Sequence, residues 1–146
     1  MKYAPSNLKD NTTRECKAQK AVKDMQGLAD FLQYSRVWQG KFVLSKMHGL
    51  NLQTVLTDQN TKLNLRSATE LALKLLNSIE AFHRSHFVHG DIQLKNILLG
   101  ATNEIADEIV LIDYSSSEKY IRRGKHVSQR KHEAYSGNTM SVSARC

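Results

Sequence analysis

The chain has 146 residues, of which 40% are hydrophobic and 24% charged, and its formal net charge is +7 at pH 7. These values fit one globular domain with an apolar core and exclude several domains. The two cysteines, Cys16 and Cys146, are too few for a disulfide framework and indicate a reducing compartment. Neither a signal peptide nor a membrane-spanning run is evident. We therefore expect an intracellular protein, in the cytoplasm or nucleus, with no membrane partner.

The positive charge is concentrated near the C-terminus. Between residues 114 and 146 there are seven Lys or Arg residues and two Glu residues, which gives +5 of the total of +7. Such a segment favours an anionic partner. Apart from Tyr114 at its start, Tyr120 and Tyr135 are its only Phe, Trp or Tyr residues, so few bases could stack on it and we expect no specific nucleic-acid recognition.

The N-terminal part of the chain predicts one helix and a pair of strands. Thr12 and Glu15 have capping-box spacing, and apolar residues then recur at helical intervals, which predicts a helix over residues 13–26. The segment 37–44, interrupted by Gln39-Gly40-Lys41, predicts two short strands and a tight turn. A short helical piece is expected over residues 52–56.

The clearest predicted helix begins at Ser67, whose hydroxyl has capping-box spacing to Glu70. Its apolar face should be mostly buried and consists of Ala68, Leu71, Ala72, Leu75, Leu76, Ile79 and Phe82. Two short strands follow, one containing Ile97-Leu98-Leu99 and one ending at Asp113. The residues after Asp113 show no period and are expected to form a loop.

One constellation carries identifiable chemistry: His89-Gly90-Asp91, then Asn96, then Asp113. Phosphoryl transfer needs a carboxylate to orient the attacking hydroxyl, and a carboxamide with a second carboxylate to hold magnesium against the phosphates. Asp91, Asn96 and Asp113 supply these groups. Asp91 and Asn96 taken singly are equally well explained as turn formers, and it is their register with the neighbouring segments that favours chemistry.

With the preceding helix, these residues resemble the catalytic core of protein kinases, and more closely the casein kinase I and vaccinia-related kinase group, which often has His-Gly-Asp and Asp-Tyr-Gly. The resemblance implies an α+β fold, a partial kinase-like domain with a remnant of the small β lobe (1–44). A hinge (45–52), large-lobe helices with the catalytic loop (53–113) and a basic activation-segment-like loop (114–146) would follow. No glycine-rich loop precedes this region and no large helical subdomain follows it, so we expect a chain truncated at both ends.

The resemblance also implies roles for single residues. Lys2 would contact the ATP phosphates, positioned by Glu15, although the capping box with Thr12 also explains Glu15. Lys46 and Met47 would contact the nucleotide at the hinge. Asp91 would be the catalytic carboxylate, and Asn96 and Asp113 would hold Mg²⁺ and ATP.

Three departures from the family pattern bear on activity. Gln93 replaces the usual lysine two residues after Asp91, and Lys95, two residues further on, would supply the missing cation. Ser115 replaces a glycine, which would bias the metal-binding loop, and Asn138 replaces a threonine at the substrate-docking turn. We expect a serine/threonine kinase-like phosphotransferase; the alternative is an impaired pseudokinase acting as an interaction module.

The basic loop is the candidate substrate site. Guanidinium forks would bind phosphate or carboxylate groups of an acidic or pre-phosphorylated protein substrate, whereas the alternative is a solvated loop. The residues concerned are Arg122, Arg123, Lys125, Arg130 and Lys131. His83, His86 and His89 lie three residues apart, but the first two flank a helix end, so no metal site is expected there.

Overall fold

The computed structural model describes residues 2–5, 11–37, 40–58, 62–100 and 108–127. Two α-helices and nine short strands make up most of this part of the chain. The helices are α1 (Asn11–Ala21) and α2 (Leu65–Arg84), and the strands are β1 (Lys2–Pro5), β2 (Phe31–Val37), β3 (Gly40–Ser45), β4 (Phe87–Val88), β5 (Ile97–Leu99), β6 (Ile109–Leu111), β7 (Glu118–Lys119), β8 (Ile121–Arg122) and β9 (Lys125–His126). The predicted α+β character is confirmed. The proposed division into lobe, hinge and loop segments stays a prediction.

The N-terminal strands form one antiparallel sheet in the order β1-β3-β2. The predicted strand pair is present, but β2 already begins at Phe31, six residues before the predicted start. The strand β1 was not predicted, because four residues at a chain start are too short to show a period. Within the sheet, Lys2 lies opposite Val43 in the register.

The helix α1 differs from its prediction at both ends. It begins at Asn11, so Thr12 lies inside the helix and the capping box is wrong. It ends at Ala21 rather than near residue 26, and Asp24 after it adopts a left-handed backbone with φ of 64°. Glu15 is therefore a buried mid-helix residue, 4% exposed, rather than a capping residue.

The helix α2 is capped by a residue that the prediction missed. Asn64 Oδ1 accepts a hydrogen bond of 2.9 Å from the Ser67 backbone N–H, so the helix begins at Leu65 and Ser67 is not the cap. Of the predicted apolar face, Phe82 is fully buried, whereas Leu76 is 60% exposed. The face is thus buried only in part. None of the described helices has both the length and the apolar character that crossing a bilayer requires.

The hydrophobic core lies between α1, α2 and the β5–β6 pair. Strands β5 and β6 pair antiparallel, with Leu98 opposite Val110. The segment at Gly49 and Leu50 lies against β5 and is held there by hydrogen bonds from Gly49 N to Leu99 O and from Leu99 N to Leu50 O. Fully buried members of the core are Ala18, Phe82, Leu99, Leu111 and Tyr114. The candidate site lies at the opposite end of the strand pair, where Ile97 pairs with Leu111 and the Ile112 N–H donates to Asn96 O.

The segment after Asp113 is more ordered than predicted. A 3₁₀ turn at Tyr114–Ser116 is followed by β7, which pairs with β4, and by a β8–β9 hairpin. The hairpin turn consists of Arg123 and Gly124, with φ of 53° and 73°. Two consecutive residues with positive φ suit the right-handed twist of a two-residue hairpin. The prediction of a loop is therefore wrong for residues 114–127, and residues 128–146 lie outside the described part.

Candidate functional site

His89 anchors the loop between β4 and β5. It is 2% exposed, its Nε2 lies 3.0 Å from the carbonyl oxygen of Ile112, and its Nδ1 accepts a hydrogen bond from the Asp91 backbone N–H at 3.3 Å. Burial lowers the pKa of His89, and the hydrogen bond to Ile112 opposes that shift only in part. The imidazole is therefore neutral at pH 7, and it joins the Asp91 backbone to the Ile112 carbonyl group as a structural residue.

Asp91 and Asn96 are in direct contact. The Asn96 side-chain amide donates to the Asp91 backbone oxygen at 2.9 Å and to Asp91 Oδ2 at 3.0 Å. Asn96 is 4% exposed. The two residues are brought together by the 3₁₀ turn Leu94–Asn96, which folds the chain back within five residues.

Gln93 is a site residue whose contact the sequence analysis missed. Its Nε2 donates to Asp91 Oδ2 at 2.6 Å, the same oxygen that Asn96 contacts. The sequence pattern identified Gln93 only as the residue that stands in place of the family's lysine. Its place two positions after Asp91 was the available signal, because a side-chain amide there can reach the carboxylate locally.

Asp113 is tied to the same loop through the backbone. Ile112, its neighbour, donates its N–H to the Asn96 carbonyl oxygen at 2.9 Å. Asp113 itself has φ of 64°, a left-handed conformation in which aspartate is tolerated better than most residues. The structure therefore places Asp91 in contact with Asn96, and the Asn96 backbone holds Ile112, the residue before Asp113.

Ser115 acts differently from the expectation. It lies in a 3₁₀ turn and is not among the described residues with positive φ, so the missing glycine causes no strain there. Its Oγ instead donates to Asp113 Oδ1 at 2.7 Å, and its backbone N–H contacts the same oxygen at 3.3 Å. The serine thus fixes one oxygen of the Asp113 carboxylate.

Tyr114 locks the aspartate-bearing segment into the core. Its ring is fully buried and packs on Phe82 with ring centroids 4.8 Å apart. The hydroxyl donates to Leu111 O at 2.7 Å and accepts from Ala29 N at 2.8 Å. Burial raises the pKa of this hydroxyl, so it stays protonated and donates at all ordinary pH values.

We expect Tyr114→Phe to lower the free energy of unfolding by about 2 kcal/mol, because two buried backbone groups would lose their partner. Tyr120→Phe is the matched control, since the Tyr120 hydroxyl makes one exposed hydrogen bond to His83 O and should cost less than about 1 kcal/mol. Urea denaturation of both variants measures the difference. Equal losses would contradict the assignment of Tyr114 as a buried anchor.

A cleft of about 420 Å³ lies beside Asp113. It is bounded by α1, by the end of β3 with the segment that follows it, by Leu98 of β5 and by Ile112 just after β6. The lining residues are Glu15, Gln19, Ala29, Val43, Ser45, Lys46, Met47, His48, Leu98, Ile112 and Asp113. Asp91 and Asn96 do not line this cleft, but Asn96 is bonded to Ile112 in its wall.

The structure brings together most, but not all, of the predicted nucleotide residues. Glu15, Lys46 and Met47 line the cleft, and Lys46 also forms a 3.6 Å ion pair with Asp30. For Lys2 only the register opposite Val43 is described. Lys95 is exposed on its 3₁₀ turn. Met47 is 91% exposed, so its side chain contributes little to the cleft surface.

The predicted anion-binding residues fall into two groups. Arg122, Arg123 and Lys125 are exposed on the β8–β9 hairpin, whereas Arg130 and Lys131 lie outside the described residues. A second cleft of about 560 Å³ adjoins the hairpin and adds basic residues from α1. Its lining includes Arg14, Lys17, Lys119 and Arg122, with Glu118 as its acidic member.

The oxygen atoms near Asp113 suit a hard cation that is held mainly by the phosphates of a bound nucleotide. Within the described ranges, no group of three or more His, Cys, Asp or Glu side chains is placed to hold a metal ion. Magnesium does not require such a cage, because it is usually bound by one or two carboxylates together with substrate phosphates and water. The Asp113 carboxylate and the Asn96 amide oxygen fit that role.

Known proteins resemble this chain over part of their length. A model of the protein kinase domain matches residues 2–140. The probable serine/threonine-protein kinase FPV212 of fowlpox virus is 34% identical over 86 residues, which is 59% of this chain and 27% of that protein. The human serine/threonine-protein kinase VRK2 is 33% identical over 86 residues, 59% of this chain and 16% of the human protein. The B1 kinase of vaccinia virus (strain Copenhagen) is 30% identical over 87 residues, 60% of this chain and 28% of the viral protein. The matched stretch thus spans less than a third of the length of each of these relatives.

Proposed function

The chain belongs to the protein kinase domain family, and we propose that it acts as a serine/threonine protein kinase that moves the γ-phosphoryl group of ATP to a protein hydroxyl. The observation that carries this proposal is the bonded pair Asp91–Asn96, joined through Ile112 to Asp113 at the edge of a cleft. We also propose an intracellular location, in the cytoplasm or nucleus, where ATP is available. The serine/threonine kinases of fowlpox virus and human among the relatives support the substrate class.

Asp91 would be the catalytic carboxylate. Its Oδ2 accepts hydrogen bonds from Gln93 and Asn96, which leaves Oδ1 to accept the proton of the substrate hydroxyl. Because Oδ2 is held from two sides, the carboxylate is fixed before substrate arrives. Such preorganisation is worth more than an added contact, since no reorientation is needed in the transition state.

Asn96 and Asp113 would hold Mg²⁺ and, through it, ATP. The Asn96 amide nitrogen is committed to Asp91, so the amide oxygen is the atom left for a cation. Bound magnesium would neutralise charge on the phosphates. Lys95 would add a further cation near the transferring group, in place of the lysine that Gln93 replaces.

The remaining nucleotide residues are assigned by their place in the cleft. Lys46 and Met47 would contact the base, because they follow β3 on the side of the cleft formed by residues 45–48. Glu15 is buried in the wall and would position Lys2, whose strand β1 pairs with β3. An ion pair between them would orient the lysine toward the phosphates.

The β8–β9 hairpin would contact an acidic or pre-phosphorylated protein substrate. Arg122 lies in the basic cleft with Arg14 and Lys17, and Arg123 and Lys125 are exposed beside it. Arginine forks bind phosphate and carboxylate groups in two-point contacts. Arg130 and Lys131, which lie outside the described residues, are proposed to bind the same substrate groups.

A pseudokinase acting as an interaction module is the second candidate. It is favoured by Gln93, which places a neutral amide 2.6 Å from Asp91 Oδ2 where family members usually place a cation. A neutral group cannot offset the charge of the transferring phosphoryl group. Nucleotide binding without phosphotransfer would be the outcome of this arrangement.

Nucleotide binding tests the first proposal. We expect ATP to bind more tightly with Mg²⁺ than without it, and Asp113→Asn to lose this magnesium effect while binding free ATP unchanged. Asp24→Asn is the matched control, because Asp24 and Asp113 share a φ of 64° and asparagine tolerates that conformation. Isothermal titration calorimetry measures all three proteins. Failure of the unaltered chain to bind ATP under either condition would end the proposal.

A further inference from the structure

The Ser115 side chain holds one oxygen of the Asp113 carboxylate in place. Ser115 Oγ donates to Asp113 Oδ1 at 2.7 Å, and the Ser115 backbone N–H reaches the same oxygen at 3.3 Å. Both residues belong to one tight unit, because Asp113 is the N-terminal cap of the 3₁₀ turn that contains Ser115. A hydroxyl at this distance from a carboxylate is a strong, charge-assisted donor. The oxygen Oδ1 is therefore held by two donors from a single residue.

Two hydrogen bonds to one carboxylate oxygen restrict how that carboxylate can bind a cation. Each oxygen of an ionised carboxylate has two lone-pair sites, and Ser115 engages both sites of Asp113 Oδ1. Coordination of one cation by both oxygens of Asp113 would require the Ser115 hydroxyl to leave Oδ1. Coordination through one oxygen keeps both hydrogen bonds intact.

Divalent cations differ in what they need from a carboxylate. Magnesium requires octahedral geometry and is usually bound by one or two carboxylates together with phosphates and water. Calcium is larger, takes about six to eight oxygen ligands and can use both oxygens of one carboxylate. A carboxylate that is restricted to one oxygen therefore costs calcium a ligand, whereas magnesium loses nothing.

We propose that Ser115 is a positioning residue that makes Asp113 a one-oxygen ligand and thereby sets the preference of the nucleotide site for Mg²⁺ over Ca²⁺. The proposal rests on the function proposed above, in which Asp113 holds the cation of bound ATP. Ser115 is also a position where this chain departs from the kinase pattern, which has glycine there. A glycine would supply the backbone N–H but no hydroxyl, so one lone-pair site of Oδ1 would become available to a cation.

Titration calorimetry with ATP and saturating Mg²⁺ or Ca²⁺ tests this role. We expect the unaltered chain to bind ATP about tenfold more tightly with Mg²⁺ than with Ca²⁺. Ser115→Ala keeps the backbone N–H and should reduce this ratio to about twofold or less, mainly by tightening the binding with Ca²⁺. Ser115→Thr keeps the hydroxyl and should retain the ratio. Ser116→Ala is the matched control, because it removes the next hydroxyl of the same turn, and it should also retain the ratio.

The outcomes separate the role of Ser115 from the proposed function. If the unaltered chain binds Mg²⁺-ATP without preferring it to Ca²⁺-ATP, or if Ser115→Ala keeps the full preference, the role of Ser115 is overturned and the kinase proposal stands. Loss of the preference in Ser115→Thr or Ser116→Ala would overturn that role in the same way. If Mg²⁺-ATP does not bind to the unaltered chain, both proposals are overturned. Ser115→Gly also lacks the hydroxyl and takes the place of Ser115→Ala if the alanine variant does not fold.

Discussion

Asp91→Asn is expected to slow phosphotransfer by about 10²- to 10⁴-fold, the usual contribution of a positioned general base. Asparagine keeps the shape of the side chain, and its oxygen can still accept hydrogen bonds from Gln93 and Asn96. The loop should therefore keep its structure while losing the proton acceptor. Because Asp91 does not line the nucleotide cleft, ATP affinity should change little.

Transfer of labelled γ-phosphate to casein, an acidic phosphoprotein, measures this rate, and ATP hydrolysis without protein substrate gives a second readout. Asp24→Asn again serves as control, since it makes the same chemical change at an exposed residue outside the loop. A rate for Asp91→Asn equal to that of the unaltered chain would favour the pseudokinase. A fall confined to ATP affinity would mean that Asp91 binds nucleotide rather than acting on the hydroxyl.

Gly90→Ala is expected to lower the free energy of unfolding by about 3 kcal/mol, although Gly90 is exposed. Its φ of +81° is unfavourable for any residue with a Cβ, and an added Cβ would lie 2.6 Å from the Ser116 carbonyl oxygen. That oxygen belongs to the backbone, so it cannot rotate away. The loop and the segment after Asp113 would have to separate, which would also displace Asp91.

Gly124→Ala separates the two causes. Gly124 has a similar φ of +73°, but an added Cβ there would meet nothing within 4 Å. It should lose only about 1 kcal/mol, the cost of the backbone conformation. Thermal unfolding of both variants measures the difference. Equal losses would show that the close approach of Gly90 to Ser116 is not a constraint on the fold.

The site was predictable from sequence where its contacts are local. Asp91 and Asn96 are five residues apart and are joined by a single 3₁₀ turn, so a short stretch of chain is enough to bring them together. The position of Asp113 next to these residues depends on the pairing of β5 with β6. The resemblance to kinases predicted that position, and the spacing of the residues did not.

The features that the sequence did not reveal depend on distant contacts. Residues 118–126 have no period, and β7 forms only because β4 offers it a partner. The role of Tyr114 depends on the Ala29 N–H, 85 residues away in the chain. Likewise, no residue near Gln19 in the sequence indicates that it lines the cleft, because its contact is with Ser45, 26 residues away. The start of α2 was predicted wrongly for a local reason. Ser67 has capping-box spacing to Glu70, but the Asn64 side chain caps the helix.

The most direct test is the position of a divalent ion in crystals of the chain with a non-hydrolysable ATP analogue and Mn²⁺ in place of Mg²⁺. Anomalous scattering locates the manganese independently of the fold. The proposed function predicts a peak about 2.1 Å from both the Asn96 amide oxygen and an Asp113 carboxylate oxygen, with the phosphates beside it. A bound nucleotide whose metal lies away from both residues would contradict it.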